Sequence, residues 1–105
     1  MSLVVKRLEE LGVQLPHSAA PIANYVGFVR TGNLLFVSGQ LCLADGTPVA
    51  KGKLGKQVAV EQGQAAARVC AINLLAQVKA AVGDLDRVTR VVRLGGFIKI
   101  GRAHV

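Results

Sequence analysis

Apolar positions first recur at 4, 8 and 11, with Lys6, Arg7, Glu9 and Glu10 between them. That spacing predicts a short amphipathic helix over residues 2–11, stopped by Gly12. Residues 15–21 hold Pro16 and Pro21 and read as an extended linker. Two β-rich runs follow, 25–30 and 34–38, separated by Thr31-Gly32-Asn33, a hairpin turn signal. Ala44-Asp45-Gly46-Thr47-Pro48 marks the next turn, because Asp-Gly supplies the positive φ that a tight turn requires. Residues 49–54 can then return as a third strand, weakened by Gly52 and the lysines around it.

The clearest element spans residues 57–82. Ala65, Val69, Ile72 and Ala76 form one apolar stripe, and Ala71, Leu75, Val78 and Val82 form a second. Both follow the i, i+4, i+7, i+11 spacing of a helix face. Together they leave little polar surface, so this helix is expected to be largely covered. Gly83 ends it. Residues 88–98 make a long β-rich run interrupted by Gly95 and Gly96, a pair that suggests a bulge or a close backbone approach.

The order helix, strand, strand, strand, helix, strand describes an α+β fold: one sheet with helices on one face. One long helix covers only one sheet face. The other is expected to be covered by copies of the same chain.

Composition narrows the class. At 105 residues the chain is one domain, and 51% hydrophobic with 18% charged residues excludes intrinsic disorder. The long charge-free stretches, 11–28 and 31–44, are broken by Gly, Pro, Asn, Gln and Ser and do not read as membrane spans. The charged N-terminus has no signal-peptide apolar region, so a cytoplasmic location is expected. A net charge of +7 invites a nucleic-acid reading. The basic residues are scattered, however, and the one cluster, Lys51, Lys53 and Lys56, holds no aromatic for base stacking. A solvated basic face is the simpler account. Cys42 and Cys70 have no partner at metal-ligand spacing and read as two small hydrophobes kept reduced. His17, in the Pro-flanked linker, reads as exposed. The stretch Gly52-Lys53-Leu54-Gly55-Lys56-Gln57 fails the phosphate-loop pattern at Ala50 and at Gln57.

The informative stretch is residues 21–40, PIANYVGFVRTGNLLFVSGQ. With Asp45-Gly46, Gly63-Gln64-Ala65-Ala66, Asn73-Leu74-Leu75 and Gly83-Asp84-Leu85, it resembles the RidA/YjgF family. These are the reactive intermediate deaminases, also labelled the endoribonuclease L-PSP family, and the longer N-terminally extended subgroup is the most similar. Gly27 and Cys42 stand where that subgroup commonly has Pro.

The resemblance implies a chorismate-mutase-like α+β fold that assembles as a homotrimer with clefts between subunits. It implies hydrolysis of reactive enamines and imines, such as 2-aminoacrylate, to keto acids and ammonia, with a small-molecule substrate and neither metal nor organic cofactor. By position, Tyr25 would line the cleft, and Ser38 and Gly39 would hold substrate or a catalytic water, since backbone N–H groups beside a small residue can bind a carboxylate closely. The family's carboxylate-binding Arg, catalytic Glu and cleft Asn are expected beyond residues 88–98, where this chain stops. Residues 99–105, KIGRAHV, back-translate to common sequencing-adapter DNA and are expected to be a non-native tail behind a partial domain at 1–98. Two other readings accompany the deaminase. One is a non-catalytic, small-ligand-binding or chaperone-like trimer, and the other is an RNA-acting protein.

Overall fold

The computed structural model describes residues 2–17, 26–44 and 47–98. Tyr25, the Asp45-Gly46 turn and residues 99–105 lie outside the described residues.

Helix α1 spans Leu3–Glu10. Ser2 caps its start, its Oγ accepting from the Val5 amide at 3.2 Å. Its end is a Schellman turn: Gly12 sits at φ 72°, Val13 N–H reaches the Leu8 carbonyl at 2.9 Å, and Gly12 N–H reaches Glu9 at 3.0 Å. Strands β1 (Phe28–Thr31) and β2 (Leu34–Val37) pair antiparallel through the Gly32-Asn33 turn, with Phe28 opposite Val37 and Val29 opposite Phe36. Gly32 takes φ 55°, as that turn demands.

Two short strands follow, β3 (Leu43–Ala44) and β4 (Thr47–Pro48). They form a separate antiparallel pair, extended by a bond from Val49 N–H to the Cys42 carbonyl. Helix α2 runs Val60–Val82, and a 3-10 turn at Leu85–Arg87 follows it. By length and composition α2 is long and apolar enough to cross a membrane. Its packing against β1, β2 and β3 gives it the place of a sheet-covering helix.

The α+β class and the two hairpin strands follow the sequence pattern. Three elements do not. The expected third strand, 49–54, is absent: pairing occurs earlier, at Thr47–Pro48, and Gly52 at φ 127° turns the backbone out of the β region. Helix α2 begins at Val60 rather than 57, because Gln57 is used in the preceding turn, its Oε1 accepting from Lys53 N–H at 2.9 Å. Residues 88–98 form no strand, because among the described residues no strand lies beside them to supply a ladder.

The core is thin. Val58, Ala76 and Leu85 are its buried apolar residues, with Gln77 buried beside them. Helix α2 is therefore only partly covered, against the expectation of a largely covered helix. One face of the β1–β2 hairpin, carrying Phe28, Leu35 and Val37, is half-buried toward α2. The other carries Val29 and Phe36, 53% and 59% exposed. The chain exposes 8427 Å², against about 5,600 Å² for a compact protein of 11.0 kDa.

Candidate functional site

The end of β2 carries Ser38, Gly39 and Gln40 away from the hairpin. Ser38 is held on two sides. Its N–H donates to the Gly27 carbonyl at 2.9 Å, and its hydroxyl donates to the Val26 carbonyl at 2.5 Å. Gln40 Nε2 then donates to the Ser38 carbonyl at 3.1 Å. With its proton engaged by Val26, the Ser38 hydroxyl keeps acceptor lone pairs for a ligand N–H or a water. Gly39 is exposed, and open space stands where a Cβ would be.

The structure therefore brings Ser38 and Gly39 to one surface, beside Val26 and Gly27. Tyr25, the third candidate, lies outside the described residues, although its neighbour Val26 is the residue that Ser38 grips. Beneath this surface lies Gln77, only 3% exposed. A Cβ on Gly27 would stand 2.6 Å from Gln77 Oε1, so glycine at 27 is what admits the buried amide.

Sequence reasoning gave Asn73 no task. Its Nδ2 donates to the Leu41 carbonyl at 2.9 Å and to the Leu43 carbonyl at 3.0 Å, clamping the chain just past Gln40 onto α2. The signal was present: a weak helix former inside an apolar helical run has a reason to be there. Nor did the sequence pair the cysteines. Burial first, then the nearby Cys42, push the Cys70 thiol pKa up. Among the described residues no group of three or more His, Cys, Asp or Glu could hold a metal.

Residues 5–105 match the family described as "YjgF/chorismate_mutase-like, putative endoribonuclease". The chain belongs to the YjgF/chorismate-mutase-like family. One relative by sequence and two solved structures are similar to this chain. Protein TCP17 of Trypanosoma cruzi is 50% identical over 95 residues, covering 90% of this chain and 59% of its own length. A crystal structure described as a "putative endoribonuclease" from Shewanella oneidensis superposes with a TM-score of 0.79 at 36% identity, covering 83% of this chain and 58% of that one. The crystal structure of Atu1372 from Agrobacterium tumefaciens, described as of unknown function, gives 0.74 at 50% identity, with coverage of 83% and 53%. The chain thus spans between half and two thirds of the length of these YjgF-like relatives.

Proposed function

We propose that Ser38 and Gly39, with Tyr25, form part of a site that hydrolyses small reactive enamines and imines, such as 2-aminoacrylate, to keto acid and ammonia. The observation that carries this reading is the fixed Ser38 hydroxyl beside the open Gly39 backbone. In the proposed reaction the enamine tautomerises to the imine and water adds to its carbon. The carbinolamine then expels ammonia, leaving the keto acid. Ser38 Oγ accepts a hydrogen bond from the substrate nitrogen or from the attacking water. Gly39, lacking a side chain, lets a substrate carboxylate approach its backbone. In the proposed site Tyr25 lines the cleft.

The reading includes, for the complete protein, a homotrimer whose subunits complete the cleft. The exposed apolar pair Val29 and Phe36, on the face of the hairpin opposite α2, supports assembly through that face. The compartment we propose is the cytoplasm.

The net charge of +7, with the "putative endoribonuclease" description of the family, favours a second reading, action on RNA. Ammonia release in the presence of an enzyme that generates 2-aminoacrylate tests the first reading. Saturable RNA binding that weakens steeply with salt tests the second. Ligand binding without ammonia release would instead favour a binding module.

A further inference from the structure

We propose that Cys42 and Cys70 are a redox-active pair, which a peroxide or a disulfide oxidant joins into an intramolecular disulfide between the strand segment and helix α2. The inference does not rest on the deaminase reading.

The geometry begins with Asn73. By holding the carbonyls of Leu41 and Leu43, it fixes the backbone on both sides of Cys42 against α2. Cys70 lies three residues earlier on the same helix, so it shares the face that Asn73 presents. Cys42 is held from its other side as well. Its carbonyl accepts from Val49 N–H at 3.0 Å, and its Sγ lies 3.5 Å from the Ala50 carbonyl. The clamp brings the Cys42 segment onto the turn of α2 that carries Cys70, and burial first, then the nearby Cys42, raise the Cys70 pKa. Both residues are half-buried, within reach of a small oxidant.

The chemistry balances with peroxide as the oxidant. The Cys42 sulfur attacks one peroxide oxygen, the O–O bond breaks, one water leaves, and Cys42 becomes a sulfenic acid. The Cys70 sulfur then attacks the Cys42 sulfur. The S–O bond breaks, the S–S bond forms, and the Cys70 proton leaves with the oxygen as a second water. Two thiols lose two electrons and two protons, and one peroxide becomes two waters. The thiolate is the attacking form and burial raises the Cys70 pKa, so the second step should quicken as pH rises. The link would tie the segment leading into β3 to α2 and so restrain the Ser38–Gly39 surface just upstream.

The test exposes the 105-residue chain, under non-denaturing conditions, to hydrogen peroxide and separately to glutathione disulfide. Free thiols should fall from two to none, and the intact mass should drop by about two mass units. Tryptic digestion should yield peptide 31–51 linked to peptide 69–79. The link should form about tenfold or more faster in the folded chain than in urea, because the fold supplies the proximity. Cys70→Ser should leave a dimedone-trappable sulfenic acid on Cys42 that the wild type lacks. Thiols that stay free, links formed only between chains, equal rates in urea, or equal dimedone labelling of wild type and Cys70→Ser would each overturn the proposal.

Discussion

Asp86 and Ser2 lie 84 positions apart in the sequence and are joined by a 2.9 Å hydrogen bond. The same carboxylate accepts from Leu3 N–H at 2.6 Å and from Val4 N–H at 2.8 Å. One side chain thus fills the N-terminus of α1 and ties it to the 3-10 turn after α2.

That tie makes α1 docking depend on pH. The N–H groups of Val4 and then Leu3, with the Ser2 hydroxyl, hold the Asp86 carboxyl below its ordinary value of 3.8. A depressed folded value means the contribution is complete above the ordinary pKa and is lost as pH falls through the folded one. Amide exchange at Leu3 and Val4, measured by NMR, should lose its protection over that acid range. Asp86→Ala should remove the protection at neutral pH.

Asn73→Ala should release the segment around Cys42. Two hydrogen bonds are lost, partly offset by the better helix propensity of alanine, a net cost of about 1–2 kcal/mol. The Val49 amide, bonded to the Cys42 carbonyl, should exchange about tenfold faster. No change in that rate would remove Asn73 from its role as the clamp.

Gly27→Ala should disturb the candidate site from below. The new Cβ would meet Gln77 Oε1 at 2.6 Å, so the buried amide must move from its present place at a cost of about 1–3 kcal/mol. The Ser38 amide, which donates to the Gly27 carbonyl, should exchange faster. Adding Gln77→Ala should restore part of the protection, because it removes the collision. A double variant no slower than Gly27→Ala alone would place the effect elsewhere.

Residues 88–98 bear on the stability of the whole chain. Val91, Val92, Leu94, Phe97 and Ile98 are all exposed, Phe97 fully. A run of β-formers without a ladder partner is an aggregation site. The isolated 105-residue chain should unfold over a broad thermal range and self-associate as its concentration rises. A sharp, cooperative transition with a monodisperse trimer would contradict this.

Local signals in the sequence were reliable where the cause was local. Gly12 and Gly83 stop their helices, and Gly32-Asn33 turns the hairpin, because positive φ is a property of a single residue. The position of Ser38 and Gly39 at the end of β2 followed from the same pattern. The remainder depended on distant partners. Residues 88–98 have the composition of a strand, yet a strand exists only beside another. Gln57 is as good a helix former as its neighbours, but its side chain closes the turn at Lys53. The Asn73 clamp, the Cys42–Cys70 pair and the Gln77 amide under Gly27 join residues 28 to 50 positions apart. No periodicity reports such pairs.

Ammonia release from enzymatically generated 2-aminoacrylate, measured on the protein expressed from its full reading frame, tests the central claim most directly. Release should exceed the spontaneous rate in buffer. Ser38→Ala should lower kcat/KM by about tenfold, the size expected for one lost hydrogen bond of about 1.4 kcal/mol in the transition state, and Tyr25→Ala should lower it at least as much. A rate equal to that in buffer, or one unchanged in both variants, would contradict the account.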